Sequence, residues 1–184
     1  MNDHVKKIIA RVLNDIRVEL GDEFDKNFER QAFFSKAWQR RKGPFRKEGA
    51  TLIDTGKLRG SIQSRTTENS ITFYTNEPHA AIHNEGGEIV VTERMKRFFW
   101  WKYKSAVGSF GRKKDGSKSN NKRTVQLTEE AEFWQHMALM KVGKTIKIPR
   151  RQFLGSSPEV EKTLREIIED NLTEFFDVEF EIRT

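Results

Sequence analysis

The sequence Leu52-Ile-Asp-Thr-Gly-Lys-Leu-Arg-Gly-Ser-Ile62 has the composition of a short helical turn that leads into a strand. The side chain of Asp54 or Thr55 can accept hydrogen bonds from the free amides of such a turn. Leu58 and Ile62 lie four residues apart and therefore on one face, and the second glycine ends the turn. We therefore expect a capped turn at the entrance of a β-hairpin.

The residues that follow predict the hairpin itself. Residues 62–66 and 70–75 alternate in polarity and are rich in β-branched and aromatic side chains, and residues 67–69 between them are turn material. Side chains two apart on a strand point to the same face. Ile71 and Phe73 are thus expected to share one face of the hairpin.

Apolar residues at helical spacing predict a helix at each end of the chain. The N-terminal helix spans about 17 residues and has its apolar stripe on Val5, Ile8, Ile9, Val12, Leu13, Ile16 and Leu20. Gly21 predicts a stop or bend, followed by a second helix with Phe24, Phe28 and Ala32 on one face. The C-terminal helix begins at Ser157 and Pro158, with an inner face of Val160, Leu164, Ile167, Ile168, Leu172 and Phe175.

Shorter elements are predicted between these helices. Residues 79–85 fit a short helix, residues 95–103 can be helical, and another helix is expected to begin at Thr128 and to end near Gly143. Strands are predicted at 89–92, 145–148 and 178–182. This order predicts an α+β fold, with a small antiparallel or mixed sheet packed by a long N-terminal helix and a C-terminal helix.

The composition indicates a folded chain. A length of 184 residues is typical of one domain, so we expect a single domain over 1–184, and 14 Phe and 4 Trp supply large surfaces to bury. The absence of cysteine excludes disulfides and thiolate metal sites. No apolar run reaches the roughly 18 residues of a membrane span, and the N-terminus has no signal-peptide pattern. We expect no membrane partner and no export by a recognisable signal.

The net charge of +7 is concentrated in one segment. Residues 93–123 contain eleven Lys or Arg against two acids, a local net charge of +9, so the rest of the chain sums to −2. Residues 105–124 are rich in glycine, serine, asparagine and lysine and are expected to form a mobile basic loop.

The sequence contains no catalytic or cofactor signature. His79 and His83 have the spacing of two zinc ligands on a helix, but Ala80 stands where the zinc proteases require a glutamate. No glycine-rich phosphate loop and no Gly-x-Ser-x-Gly sequence is present. We therefore predict neither an enzyme nor a bound cofactor or metal.

Two functions remain open for the basic segment. Lysines neutralise phosphates and aromatic rings stack on bases, so the segment can belong to a nucleic-acid-binding module. Alternatively, the aromatic residues lie in the core or at a subunit interface. The candidate contact residues for either function are Phe98, Phe99, Trp100, Trp101, Tyr103, Arg112, Lys113, Lys114 and Lys118.

Three short motifs occur in a fixed order along the chain. The first consists of Leu52, Thr55, Gly56, Leu58, Arg59, Ser61 and Ile62. The second consists of Ile82, His83, Asn84, Gly86 and Gly87. The third consists of Ile148, Pro149, Arg151, Phe153, Leu154 and Gly155. Together they resemble the bacteriophage virion morphogenesis, or tail completion, family. Two departures are His79, where a tyrosine is common, and Gln152, where a proline is common.

The resemblance implies a structural protein of the phage tail or of the head-tail junction. It implies a homo-oligomer, in the form of a ring, with other tail or head-completion proteins as partners and non-specific contact with packaged DNA. It also implies no enzymatic activity, and a location in the host cytoplasm during assembly and then in the virion, with a prophage origin also compatible. The three motifs would be structural, whereas the candidate subunit contacts are the aromatic segment 98–103 and the N-terminal helix.

Overall fold

The computed structural model describes residues 3–41 and 50–176. Its helices are α1 (Asp3–Arg30), α2 (Lys57–Gly60), α3 (Ala80–Glu85), α4 (Glu93–Gly108), α5 (Lys122–Leu139) and α6 (Pro158–Phe176). Its strands are β1 (Ala32–Phe33), β2 (Lys36–Ala37), β3 (Gln63–Thr66), β4 (Ile71–Tyr74), β5 (Gly87–Val90) and β6 (Thr145–Ile148). The α+β prediction is confirmed.

The described strands form three separate two-stranded antiparallel sheets, β1–β2, β3–β4 and β5–β6, instead of one sheet. The predicted hairpin is present as β3–β4, with Ser64 opposite Phe73. Ile71 and Phe73 share its partly buried face, as expected. The predicted strand at 178–182 lies outside the described residues.

Helix α1 is one continuous helix, so the stop or bend predicted at Gly21 is wrong. The apolar stripe continues through Leu20, Phe24 and Phe28, and burial of these side chains outweighs the roughly 1 kcal/mol that a glycine costs inside a helix. The helix ends before Ala32, which was predicted to be helical but lies in β1. Gln31 and Phe34 have positive φ angles of 55° and 51°, and this backbone turns the chain into the β1–β2 hairpin.

The chain divides into two compact units. Among the described residues, the first unit comprises 3–38, 50–85 and 151–176, and the second comprises 39–41 and 86–150. The single domain expected from the chain length stays a prediction.

The first unit has two buried clusters. The larger packs α1 against α6 and consists of Ile16, Leu20, Phe24, Phe33, Val160 and Ile167. The smaller consists of Phe28, Trp38, Leu58, Ala80 and Phe153. The start of α6 is as predicted, because the Val160 N–H donates to the Ser157 hydroxyl at 3.2 Å.

In the second unit, α4 packs against α5. Helix α5 begins at Lys122 and not at the predicted Thr128, because Asn121 supplies the cap: its Oδ1 accepts from the Thr124 N–H at 2.8 Å. Helix α4 extends to Gly108, so the link between the helices is residues 109–121, shorter than the predicted loop at 105–124. No helix in the described ranges is long and apolar enough to span a membrane.

Candidate functional site

The first motif forms α2 and the entry to β3. Its Leu58 is buried in the smaller cluster. Ser61 donates its hydroxyl hydrogen bond to the Leu58 carbonyl at 2.8 Å and lies 2.6 Å from the Thr75 hydroxyl. The predicted cap is weak, because the Lys57 N–H is 3.4 Å from the Thr55 hydroxyl. Gly56 precedes the helix with a φ of +76°.

Arg59 fixes this motif to α1. Its guanidinium donates to both carboxylate oxygens of Asp25 and to Glu29 at 2.7 Å. The hydrogen bond from Arg59 lowers the pKa of Asp25. Arg59 therefore holds the turn against the long helix by charge-assisted hydrogen bonds.

The second and third motifs are joined by the side chain of Asn84. Its Oδ1 accepts from the backbone N–H groups of Phe153 at 2.9 Å and of Leu154 at 3.0 Å. The Arg151 N–H donates to the His83 carbonyl at 2.7 Å, and the indole of Trp38 donates to the Gln152 carbonyl at 2.7 Å. The bonds of Asn84 and His83 join segments about seventy residues apart, and that of Trp38 joins residues 114 apart.

At Gly86 a side chain would strain the backbone and force a neighbouring segment to move. Its φ is +76°, and a Cβ added there would lie 2.8 Å from the Arg150 backbone nitrogen. Gly87 then begins β5, where it pairs with Ile148, and Pro149 follows the end of β6. Phe153 is 1% exposed in the smaller cluster, Leu154 packs beside it, and Gly155 leads toward α6.

The structure thus places the three motifs at joints of the fold. Leu58 and Phe153 lie in one cluster, and Ile62 and Leu154 pack against both clusters of the first unit. They position neighbouring segments.

The aromatic segment lies on α4 and has a buried and an exposed side. Phe99 and Ala106 are buried, as are the small residues Thr124, Ala131 and Ala138 of α5. Phe99 stacks on Trp134 of α5, with ring centroids 5.7 Å apart. Phe99 is therefore a packing residue and not a contact available to a partner.

Three other aromatic side chains of the segment are exposed. Trp101 is 59% exposed, Phe98 45% and Trp100 36%, whereas Tyr103 is partly buried. Phe98 and Trp101 form one pair, with ring centroids 5.9 Å apart, and Trp100 and Tyr103 form another at 5.6 Å. Exposed aromatic groups of this size are unusual on a surface that faces only water.

Trp134 supports the exposed pair from α5, and sequence reasoning missed this role. Phe98 packs edge-on against it at 5.8 Å, and the ammonium of Lys102 lies 5.2–6.0 Å from the rings of Phe98, Trp101 and Trp134. The indole of Trp134 donates to Glu130 at 3.2 Å. The exposed rings therefore pack against neighbours on α4 and α5.

Basic residues flank Trp101 on the outer side of α4. Arg94, Arg97 and Lys104 are exposed, and the spacing 94, 97, 101 and 104 places all four on one helical stripe. We call this stripe the α4 stripe. It combines a large apolar group with three positive charges.

The link 109–121 is compact and basic. An antiparallel bridge joins Arg112 to Lys118, and the Gly111 N–H donates to the Thr124 hydroxyl at 3.1 Å. Arg112, Lys113, Lys114 and Lys118 are all exposed, although the Lys118 ammonium lies 4.5 Å above the Phe110 ring. The predicted mobility of this segment stays a prediction.

The described residues contain no group of three or more His, Asp or Glu side chains placed to hold a metal ion. The rings of His79 and His83 are 6.0 Å apart and nearly perpendicular. A groove of about 240 Å³ beside β3 is lined by Arg17, Asp25, Arg59 and Phe73 among others. Its two arginines already donate to Asn14 and Asp25.

The fold and surface therefore describe an α+β protein whose distinctive features are structural joints and an exposed aromatic, basic helix. A family model, that of the phage virion morphogenesis family, matches residues 5–173. The chain belongs to the phage virion morphogenesis family, and its role is structural, in the assembly of a phage particle. No curated protein and no solved structure matches the chain.

Proposed function

We propose that this protein acts in tail completion or head-tail joining, as one subunit of an oligomeric ring. The observation that supports this most is the exposure of Trp101, at 59%, beside Phe98, at 45%. Aromatic side chains of this kind are enriched where protein surfaces meet, and they contribute a large share of binding energy there.

The neighbours of Phe98 and Trp101 favour the interpretation of these exposed rings as a contact surface. Trp134 packs against Phe98 and Lys102 lies over Trp101 in the single chain, so both rings have neighbours before any partner binds. A side chain that is already ordered loses little conformational entropy on binding, so more of the contact energy appears as affinity.

The proposed activity is non-enzymatic and needs no cofactor. The partners are further copies of the same chain and other tail or head-completion proteins, with non-specific contact to packaged DNA. The protein would assemble in the host cytoplasm and then remain in the virion, at the tail or the head-tail junction. The family assignment supports this role because its members act in virion morphogenesis.

Sedimentation velocity of the purified chain tests the oligomer. We expect a concentration-dependent species several times heavier than the 21.6 kDa chain. Trp101→Ser should reduce that species, whereas Leu139→Ser, at a residue 65% exposed on α5, should leave it. A chain that stays monomeric at high concentration, even when isolated tails are added, would contradict the proposal.

A second candidate is a nucleic-acid-binding module that uses residues 94–123. The exposed lysines and arginines of the link favour it, because a compact basic hairpin can follow a phosphate backbone. Replacement of Arg112, Lys113, Lys114 and Lys118 by glutamine should spare folding and weaken duplex binding. Removal of four phosphate contacts should reduce the slope of log affinity against log salt by about 3 to 4. An unchanged slope would contradict this candidate.

A further inference from the structure

We propose that the α4 stripe of one copy packs against α6 of the next copy. This inference rests on the proposed oligomer and specifies which two surfaces form its contact. The contact is heterologous, since each copy offers α4 to one neighbour and α6 to the other.

Helix α6 has an exposed apolar stripe beside its buried face. Ile168 and Leu172 are each 39% exposed and Phe175 is 38% exposed, although one edge of Phe175 touches His4. Their spacing of four and three residues places them in one line along the helix. We call these three residues the α6 stripe.

The charges around the two stripes are opposite. Among the described residues of α6, the exposed acids are Glu161, Glu166, Glu169, Asp170 and Glu174, against the exposed bases Lys162 and Arg165. Glu174 pairs with Arg11, and Glu166 lies 3.4 Å from Lys162. Glu161 and Glu169 lie four residues before and after the exposed Arg165 along the edge of the α6 stripe, so acids outnumber the base there by two to one. On the α4 stripe, Arg97 and Lys104 lie one turn before and one turn after Trp101.

The two stripes also agree in spacing. The α4 stripe advances by three, four and three residues, and the α6 stripe by four and three. Two helices with this spacing can pack along their lengths, with the side chains of one filling the spaces of the other. Trp101 then meets the apolar residues of the α6 stripe, and the basic residues before and after it on α4 come close to the acids of α6.

A second copy of the chain is the partner that this pattern favours. Duplex DNA has no apolar stripe to cover Ile168, Leu172 and Phe175, and it would be repelled by the acids around them. A neighbouring copy offers both a large aromatic group and the opposite charge. Contacts of this kind between identical chains close into a ring or continue into a filament.

A charge exchange tests the contact. One variant carries Arg97→Glu and Lys104→Glu on α4, and a second carries Glu161→Lys and Glu169→Lys on α6. Each alone should lose the heavy species in sedimentation velocity, because like charges then face each other across the contact. The matched control carries Lys147→Glu and Glu68→Lys, two exposed positions on neither stripe, and should assemble as the natural chain does.

Rescue distinguishes the contact from damage to folding. An equimolar mixture of the two variants should assemble again, because every α4–α6 contact between unlike variants joins opposite charges. A single chain with all four reversals should also assemble. Nuclease-treated protein is used throughout, so that a species held together by nucleic acid is not counted.

The outcomes separate this inference from the proposed function. If the natural chain and both reversed variants assemble equally well, the proposed oligomer stands but the α4–α6 contact is contradicted. Loss of assembly without rescue, in variants whose circular dichroism matches that of the natural chain, also overturns it. A natural chain that never assembles contradicts the oligomer itself, and the contact with it. Loss with rescue in both forms supports the proposal.

Discussion

At the level of single residues, the motifs are explained by backbone hydrogen bonds. Asn84 accepts from two consecutive amides of a distant segment, which a carbonyl oxygen with two lone pairs can do. Gly86 allows the chain to pass within contact distance of the Arg150 backbone. The identity of each residue follows from the local geometry and needs no catalytic role.

Asn84→Ala should lower the free energy of unfolding by about 1–3 kcal/mol, because the Phe153 and Leu154 amides lose their acceptor. Asn84→Asp keeps an acceptor oxygen and should cost less. Urea unfolding followed by tryptophan fluorescence measures both, with Glu85→Ala, at an exposed neighbour, as the control. Equal stabilities of the alanine variant and the natural chain would mean that the two amides find other partners.

Gly86→Ala should cost more than Gly56→Ala. Both glycines have a φ of +76°, so each substitution costs the roughly 1–2 kcal/mol of a left-handed backbone. Only at Gly86 would the new Cβ meet another backbone, at 2.8 Å from the Arg150 nitrogen, whereas nothing lies within 4 Å at Gly56. Thermal unfolding of the two variants compares them, and an equal loss at both sites would contradict the close approach.

Because Asp25 pairs with Arg59, we expect the free energy of unfolding to fall at acidic pH. The pKa of Asp25 is lowered in the folded chain by the hydrogen bond from Arg59, so its contribution is complete above the ordinary aspartate pKa of about 3.9. That contribution is lost as the pH falls from there through the lowered pKa. Asp25→Asn should therefore destabilise the chain at pH 7 and flatten the acid dependence of its unfolding free energy.

The same titration of Asp22→Asn supplies the control, since Asp22 is an exposed aspartate on the same helix. If Asp25→Asn and Asp22→Asn gave the same acid dependence, Arg59 would contribute no more than a surface charge does.

At the level of secondary-structure elements, α4 has a side that packs in the fold and a side that is exposed. Phe99 is 6% exposed and stacks on Trp134, so it holds α4 to α5. Trp101 is mostly exposed and contributes less to folding. The outer side is therefore available for assembly without cost to the packing of the inner side.

Phe99→Ala should cost about 3–5 kcal/mol of stability, as truncation of a buried phenylalanine to alanine does in other proteins. Trp101→Ala should cost clearly less stability and yet remove most of the oligomer. Thermal unfolding and sedimentation velocity, measured on both variants, give the two effects separately. A Trp101→Ala chain that assembles fully would show that the exposed ring is not a contact.

Secondary-structure elements could be predicted from the sequence where a single local pattern, such as alternation or a helix cap, had no competing pattern. The β3–β4 hairpin and the start of α6 followed from alternation and from the Ser157-Pro158 pair. The bend predicted at Gly21 is wrong because the helix-breaking tendency of glycine competes with the burial of the neighbouring apolar side chains. That burial is visible only in the packed structure. The start of α5 was missed because Asn121 lies in a polar run without periodicity, where a cap cannot be told from a loop.

The candidate surface was predicted only in part. The aromatic density of residues 98–103 indicated a contact or core region, but the sequence did not show that Phe99 faces inward and Trp101 outward. The α6 stripe was assigned to the inner face, because Ile168, Leu172 and Phe175 continue the same apolar pattern as Ile167. The apolar arc of α6 is wide, and only the part that α1 covers is buried. Ile168, Leu172 and Phe175 lie at the edge of that arc and stay partly exposed.

At the level of the whole molecule, the charge distribution and the two stripes point to assembly. The basic residues of α4 and the acidic residues of α6 lie on different elements of each copy, so copies can attract one another in a directed manner. The chain belongs to the phage virion morphogenesis family, and the proposed assembly would serve that role. Under the proposed function, the product of this assembly is a structural ring.

Electron microscopy of lysates tests the proposed role most directly. A phage that lacks only this gene is grown in a host with or without a plasmid copy, and complete particles, free heads and free tails are counted. We predict that heads and tails accumulate unjoined without the protein, that the natural copy restores complete particles, and that Trp101→Ser restores few. Complete, infectious particles in undiminished number without the protein would contradict a role in tail completion or head-tail joining.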